Sequence, residues 1–220
     1  MKMSTAVEAQ SDQAEDQPQG RSTKEDWLAL AIDTLIRDGI DRVKVQIMAK
    51  QLNVSRSSFY WFFKSTQDLH NQILDHWLAK NTGPIIQRAL RPSQTITEAI
   101  LNVFECWMDK RLFDPELDVA VRLWARRDAA VHGVVSGADR QRLDALTQMF
   151  IRHGYPDGDA VVRARVLYFT QIGHYTLGIT EDTAERLSRT RDYLRAFSGI
   201  EPAEAELKRF RLLAYELEKR

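Results

Sequence analysis

The chain has 220 residues, and its 31 lysines and arginines balance its 31 aspartates and glutamates. A neutral total charge identifies no partner, and the length allows one large domain or two unequal ones. The single cysteine, Cys106, excludes an intrachain disulfide. Because neither a signal peptide nor an apolar run near the roughly 20 residues of a membrane span is visible, the sequence predicts a soluble, cytoplasmic protein with no membrane partner.

Charge is distributed unevenly along the chain. Residues 1–20 carry one base and four acids, and their polar composition predicts a disordered N-terminal tail at 1–20. The stretch from Arg42 to Lys64 contains five bases and no acid. Such a segment in a neutral chain favours a confined surface for a polyanion, with chance clustering on a solvated face as the alternative.

Apolar residues recur at helical spacing from residue 22 to the C-terminus. Ser22 or Thr23, followed three residues later by Glu25 or Asp26, predicts a capping box for the first helix, which Gly39 ends. A fourth helix is predicted at 66–80, stopping near Gly83-Pro84. Later helices are predicted at roughly 95–111, 115–130, 136–153, 158–180, 183–198 and 202–219. No segment alternates with period two, so we expect an all-α fold.

The stretch Lys44–Phe63 predicts a helix, a short turn and a second helix. Asn53 tolerates the left-handed conformation of a sharp turn, Val54 suits the joint between the helices, and Ser55 is a good N-cap. This is the arrangement of a helix-turn-helix unit, whose second helix enters the major groove of DNA. We therefore predict a DNA-binding domain at 21–66 and a larger helical ligand-binding and dimerisation domain at 67–220.

The second helix of this unit has two faces. At about 100° per residue, Phe59, Phe62 and Phe63 lie on one side and anchor a helix too short to be stable alone. Arg56 and Trp61 lie towards the other side, together with hydroxyl groups that suit DNA. The sequence leaves open whether Trp61 faces DNA or covers the start of the fourth helix.

Particular roles follow from side-chain chemistry. Arg56 suits the two acceptors of guanine, whereas Tyr60 and Lys64 suit phosphates. The start of the preceding helix is expected to meet the DNA backbone through its N–H groups. The complete set of predicted DNA-binding residues is Lys44, Val45, Gln46, Ser55, Arg56, Ser57, Ser58, Tyr60, Trp61, Lys64 and Thr66.

The segment from about Ser22 to Ile73 resembles the DNA-binding domain of TetR-family transcriptional regulators. The match runs through Met48-Ala49, Leu52, Val54-Ser55, Phe59-Tyr60, Phe63-Lys64 and Leu69. The resemblance implies a homodimer on a palindromic operator and a C-terminal body that binds an inducer and dimerises through its last long helices. Three positions depart from the family pattern: Lys44 replaces a usual Thr, Asn53 a usual Gly, and Thr66 a frequent second lysine.

The C-terminal half offers a candidate ligand pocket, because aromatic and polar residues recur together on its helices. The alternative for each is an ordinary place in the core or the dimer interface; for Arg122 it is a salt bridge with a nearby acid. The candidates are Phe104, Trp107, Arg122, Trp124, Tyr168, Gln171, His174 and Tyr175. For the dimer interface, the apolar stretch 158–180 and the final helix with Leu207, Phe210, Leu213 and Leu217 are the candidates, with burial inside the monomer as the alternative.

Two rival functions carry less support. The five histidines lack metal-ligand spacing, Cys106 lies in an apolar helix, and neither a phosphate-binding glycine loop nor a nucleophile elbow occurs. The sequence thus predicts no enzyme, no metal and no cofactor. A helical protein-binding adaptor would carry acids or bulky apolar groups outward on the second helix, where Arg56 and Ser57 lie. The sequence favours a ligand-responsive repressor in which a small molecule moves the fourth helix.

Overall fold

The computed structural model describes residues 22–219, and this part of the chain contains eleven α-helices and no strand. The all-α prediction is confirmed, whereas the tail predicted at 1–20 lies outside the described residues. The helices are α1 (Lys24–Asp38), α2 (Val45–Gln51), α3 (Arg56–Phe59), α4 (Thr66–Trp77), α5 (Gly83–Leu90), α6 (Ile96–Met108), α7 (Pro115–Ala125), α8 (Ala129–Arg152), α9 (Asp157–Thr176), α10 (Thr183–Ser198) and α11 (Glu204–Glu218).

The predicted start and end of α1 are confirmed. The Thr23 hydroxyl accepts a hydrogen bond from the Asp26 N–H at 3.1 Å, and the Asp26 carboxylate accepts one from the Thr23 N–H at 2.8 Å. Both donors would otherwise lack an intrahelical partner. Gly39 ends the helix with a φ of 81°, a conformation that favours glycine.

Three predicted boundaries are wrong. The α7–α8 turn falls at residues 126–128 because Asp128 caps α8 through the N–H groups of Ala130 and Val131; Gly133 is accommodated inside that helix. Helix α9 ends at Thr176 rather than near 180, just before Gly178 with its φ of 66°. An additional helix, α5, begins at Gly83 where a stop was expected.

The chain stays helical through Gly83-Pro84, where the sequence predicted the end of the fourth helix. A π-helical segment, Leu78–Thr82, follows α4 directly and leads into α5, with Gly83 at φ −53° and ψ −51°. Proline is tolerated in the first turn of a helix, where its missing N–H costs little. Insertions of this kind often mark functional positions.

Two clusters of buried apolar side chains form the interior. The N-terminal cluster joins α1–α4 to α7 and the start of α8, and includes Trp27, Phe59 and Trp77. The body cluster is built from α5, α6 and α8–α11, and includes Ile100 and Phe150. Helix α7 therefore packs against the helix-turn-helix unit as well as against α8. The domain boundary at 66/67 stays a prediction.

A buried polar cluster, which we call the junction network, lies where the π-helical segment meets α7, α8 and α9. Asp118 accepts hydrogen bonds from the Trp77 indole at 2.9 Å and from the Arg122 guanidinium at 2.7 Å. Arg142, fully buried, donates to Thr82 Oγ1 at 2.9 Å. The network comprises Trp77, Asn81, Thr82, Asp118, Arg122, Asp139, Arg142 and Tyr168. Buried charges of this kind require partners, and these residues supply them.

Candidate nucleic-acid interface and internal cavity

The turn between α2 and α3 has the predicted geometry. Asn53 adopts a φ of 53° and is the one non-glycine residue with positive φ in the described part of the chain. Asparagine reaches this left-handed region at lower cost than most side chains. Val54 is half-buried against the N-terminal cluster, as expected for the joint between two helices.

Helix α3 is held by two of the three predicted aromatic anchors. Phe59 and Phe63 are buried and stack with ring centres 5.0 Å apart, and the Trp27 ring meets Phe59 edge-on at 5.3 Å. The third, Phe62, also packs against the cluster, as predicted, but it is only half-buried at the rim and contributes less. Because α3 spans four residues, this packing rather than helix propensity holds it in place.

The opposite face of α3 is open to solvent. Arg56 and Ser57 are exposed, as are Tyr60 at 58% and Trp61 at 78% of their surface. The exposure of Trp61 answers the question left open by the sequence, because its indole does not cover the start of α4. A large exposed apolar side chain beside an arginine suits a contact surface better than a core.

Two serines differ from their expected roles. Ser55 occupies the N-cap position, yet its hydroxyl lies 2.8 Å from that of Ser57 and does not cap the helix. Ser58 is buried and donates its hydroxyl to the Ser55 carbonyl at 2.7 Å. The prediction that the Ser58 side chain lies on the DNA-binding face is therefore wrong, because that hydroxyl is used inside the turn.

The basic residues of this segment are all free at the surface. In residues 22–219, none of their charged side-chain groups has a carboxylate oxygen within 4.0 Å, although the Lys64 backbone N–H donates to Asp68 at 2.8 Å and the Lys64 charge helps to lower the pKa of that carboxyl. The nearby Asp41 is paired with Arg127 at 2.6 Å. The free bases are Arg42, Lys44, Lys50, Arg56 and Lys64, all exposed. Unpaired exposed cations concentrated on one segment produce the positive potential that attracts a phosphate backbone.

The remaining predicted DNA-binding residues flank α3. Lys44 is the N-cap of α2, and both it and Gln46 are exposed. The Val45 side chain is buried, which leaves its backbone N–H for any DNA contact. Thr66 is exposed at the first position of α4, which Ser65 caps by accepting the Asp68 N–H at 3.1 Å.

A cavity of about 70 Å³, partly open to solvent, lies between α6, α9 and α10, with Phe210 of α11 also on its wall. Four of the eight predicted ligand-binding residues line it, namely Phe104, Trp107, Gln171 and His174. Tyr175 is adjacent, stacked on Phe113 at 5.4 Å. Burial raises the pKa of its hydroxyl to about 12, although the neighbouring Arg186 and Gln171 favour the phenolate.

The other three predicted ligand-binding residues do not line this cavity. Trp124 is buried in the N-terminal cluster, with its ring edge-on to His70 at 5.2 Å. Arg122 and Tyr168 belong to the junction network, and Arg122 pairs with Asp118 and Asp139, each at 2.7 Å. Arg122 therefore forms salt bridges, which was the alternative to a role in ligand binding.

The cavity also has a charged side that the sequence did not reveal. Arg186 lines it and donates to the Trp107 carbonyl at 3.1 Å, while Glu181, also on the wall, is paired with Arg189. Burial lowers the pKa of His174, and the Arg186 charge lowers it further against the opposing effect of Glu181. Arg186 lies on an otherwise polar helix, so spacing alone did not distinguish it from a surface arginine.

Helix α9 presents an apolar strip to solvent. Val162, Val166 and Phe169 follow one another at helical spacing and are exposed at 57%, 48% and 49%. The Arg165 guanidinium lies over the Phe169 ring at 5.0 Å. In contrast, Leu207 and Phe210 of α11 are buried in the body cluster, so these two side chains pack within the monomer.

Other features bear on the rival functions. Burial raises the pKa of the Cys106 thiol to about 12, which disfavours the nucleophilic thiolate. Within residues 22–219, no group of three or more metal-ligating side chains is close enough to hold a metal ion. No helix in that same range is both long and apolar enough to cross a membrane.

Comparison with known proteins agrees with this geometry. Residues 28–73 match the model of a family described as "Bacterial regulatory proteins, tetR family". No curated protein matches the chain. Among solved structures, GusR of Salmonella enterica is similar with a TM-score of 0.55 and 15% identity, over 90% of this chain and 95% of that one.

A second solved structure, a transcriptional regulator from Rhodococcus sp. Rha1, has a TM-score of 0.54 and 16% identity, over 90% of this chain and 97% of that one. At such identities the likeness establishes the fold, while the match at residues 28–73 covers the helix-turn-helix segment. Residues 28–73 therefore carry a DNA-binding segment of the TetR-family type, which supports a DNA-binding transcriptional regulator, and the chain has the fold of these two solved structures.

Proposed function

We propose that this regulator is a repressor that binds a palindromic operator as a homodimer and is released by a small-molecule effector. The main observation in support of DNA binding is the exposed face of α3. There, Arg56 lies beside exposed aromatic and hydroxyl groups, in a segment whose basic side chains form no ion pair within 4.0 Å in the described part of the chain. A surface of this composition suits a groove lined by phosphates.

In this proposal, base recognition and phosphate contacts come from different residues. Arg56 carries the planar fork that matches the O6 and N7 acceptors of guanine in the major groove. Tyr60 and Lys64, on either side of the buried Phe63, contact phosphates and fix the position of α3. Trp61 packs against the sugar-phosphate backbone, because its exposed indole extends beyond the helix.

The exposed strip of α9 is the proposed dimer interface. Val162, Val166 and Phe169 would be buried by the same strip of a second copy related by a two-fold axis. A dimer presents two α3 helices to successive major grooves, about 34–36 Å apart, and this spacing requires an operator with matching symmetry.

Effector release is proposed to act through the junction network. The cavity is lined by α6, α9 and α10, and Tyr168 on α9 belongs to the network that holds Trp77 at the end of α4. We propose that each arrangement of α9 goes with one position of α4. An effector that binds one of these states more tightly than the other raises its population, to an extent set by the difference in affinity. A small tilt of α4 then changes the distance between the two α3 helices of the dimer, so that they no longer fit successive major grooves.

Substitutions in and just after α3 test the proposed DNA binding, once an operator has been selected from random duplexes. We expect Arg56→Ala to relax sequence preference at one base pair of each half-site, at a cost of about 1–3 kcal/mol in binding free energy. Lys64→Ala is expected to weaken all duplexes similarly and to lower the salt dependence of binding. Lys208→Ala, at an exposed position of α11, is the matched control. Unchanged operator preference in Arg56→Ala would show that Arg56 does not read bases.

A further inference from the structure

The cavity between α6, α9 and α10 has a composition that narrows the chemistry of its ligand. On one side, the rings of Phe104 and Trp107 lie 5.5 Å apart, and Phe197 meets Phe104 edge-on at 6.4 Å. Phe210 adds a further edge contact to Phe104 at 6.2 Å. Aromatic walls of this kind favour a flat, apolar ligand group, because contacts between aromatic rings are more favourable than the burial of their apolar surface alone would give.

The opposite side of the cavity is cationic. Arg186 is half-buried, and no carboxylate oxygen in the described part of the chain lies within 4.0 Å of its guanidinium. The other charged group on the wall, Glu181, is paired with Arg189. Burial and the Arg186 charge lower the pKa of His174, which favours its neutral form. The cavity therefore contains one partly desolvated positive charge without a counter-ion.

Polar side chains that can orient a ligand lie next to this charge. Gln171 lines the cavity, and its buried Nε2 makes no hydrogen bond of normal geometry within residues 22–219, although the Tyr175 hydroxyl is nearby. Thr170 and Thr190 also reach the wall, although the Thr190 hydroxyl is already bonded to the Arg186 carbonyl at 3.0 Å. A buried amide donor beside a guanidinium that has no carboxylate within 4.0 Å favours a ligand group with two or more acceptor oxygen atoms.

The size of the cavity limits the apolar part of the ligand. Its volume of about 70 Å³ accommodates about five water molecules at roughly 10–15 Å³ each. Five waters occupy about 150 Å³ of liquid, which is the size of an apolar cavity that binds benzene. One ring fits inside the cavity without rearrangement, whereas part of a fused or long-chain ligand would extend beyond it.

We infer that this cavity binds a single-ring aromatic carboxylate, with its ring packed against the wall formed by Phe104 and Trp107 and its carboxylate on Arg186. The inference rests on the proposed function, because it names the chemical class of the effector. It also accounts for the Gln171 amide, which donates to the second carboxylate oxygen.

Direct binding to the full-length protein tests the inference without DNA. Calorimetric titration compares benzoate and phenylacetate with their neutral amides, benzamide and phenylacetamide, which have nearly the same shape. We expect at least one acid to bind at least about tenfold more tightly than its amide. Arg186→Gln is expected to remove that difference, while Arg195→Gln, at an exposed position of the same helix, keeps it.

Several results would overturn the inference. Equal affinity for acids and amides would remove the role of charge, and no binding of either acid up to about 10 mM would remove the ligand class. Both comparisons use the unsubstituted protein, so they stand even if Arg186→Gln fails to fold. If the acids do not bind while the protein binds its operator, this inference fails and the DNA-binding proposal survives. If an acid binds without releasing the operator, the ligand class stands and the effector role fails.

Discussion

The Arg142 guanidinium lies 5.0 Å from the centre of the Trp77 indole, with both side chains fully buried. Arg142 also donates to the Tyr168 hydroxyl at 2.8 Å, and the Trp77 N–H donates to Asp118 at 2.9 Å. Since Trp77 is the last residue of α4, this contact joins the helix that supports the DNA-binding unit to α7, α8 and α9. A buried arginine is tolerated here because each of its nitrogen atoms has a partner.

Replacing Arg142 by methionine tests how much the junction network contributes to stability. We expect a loss of about 3–5 kcal/mol in the free energy of unfolding, because Thr82 and Tyr168 lose a buried donor. Urea unfolding followed by circular dichroism measures it. Arg140→Met, at an exposed position of the same helix, is expected to stay within about 0.5 kcal/mol of the parent protein. Equal stability of the two variants would show that the network is not structural.

Substitutions of two aromatic residues, Phe59 at the end of α3 and Trp61 just after it, are expected to have opposite effects on stability and on DNA binding. Phe59 is fully buried, so Phe59→Ala should cost about 3–5 kcal/mol of stability. Trp61 is 78% exposed, so Trp61→Ala should change stability by less than about 0.5 kcal/mol yet weaken binding to duplex DNA. Thermal unfolding and a duplex titration on the same two preparations separate the effects. A large loss of stability in Trp61→Ala would contradict its outward position.

Acidification is expected to loosen the contact between α4 and α7. His70 lies against Trp124 with its Nε2 unpartnered, and burial lowers its pKa below the ordinary 6.5, opposed in part by the Asp128 carboxylate. The unfolded chain therefore binds the proton more readily, and stability falls as pH drops below about 6.5 towards the folded-state pKa. The free energy of unfolding between pH 7 and about 5.5 measures this slope.

His70→Phe is the variant that isolates this histidine. It keeps an aromatic ring against Trp124 and is expected to have a shallower slope, with a residual part from His76 and His174, whose pKa values burial also lowers. His132→Phe, at an exposed position, is the control. A slope identical to that of the parent in His70→Phe would mean that this residue does not titrate differently in the folded state.

A charge in the exposed strip of α9 is expected to separate the proposed dimer. Val166→Arg would place two like charges near each other across a two-fold axis, and we expect the dimer dissociation constant to rise by at least about 100-fold. Sedimentation or light scattering measures it. Leu90→Arg, at an exposed apolar residue of α5, is the control. A parent protein that is monomeric at all concentrations would contradict the dimer itself.

The sequence predicted the helix-turn-helix unit well because its signals are local. The Thr23 capping box, the left-handed Asn53 and the buried pair Phe59 and Phe63 follow from spacing and side-chain chemistry. Ser58 was misplaced, and Phe62 is less buried than its two neighbours, because one helical period does not describe a four-residue helix followed by tighter turns.

The body of the protein was predicted less completely because its key contacts join distant parts of the chain. Arg142 received no role from the sequence, since its partners Trp77, Thr82 and Tyr168 lie in other helices. Arg186 was also missed, because only packing reveals that this arginine faces aromatic walls and lacks a carboxylate. Phe104, Trp107, Gln171 and His174 line the cavity, and the sequence singled them out because aromatic and polar residues lie together on α6 and α9; their binding of a ligand stays a prediction.

Selection of binding sites from random duplexes, with the purified full-length protein, tests the proposed function most directly. We predict enrichment of a palindrome whose half-sites are one helical turn apart, about 34–36 Å, with a guanine in each half-site whose preference is lost in Arg56→Ala. Failure to enrich any sequence at low salt, where phosphate contacts are strongest, would contradict the assignment of α3 as a sequence-reading helix.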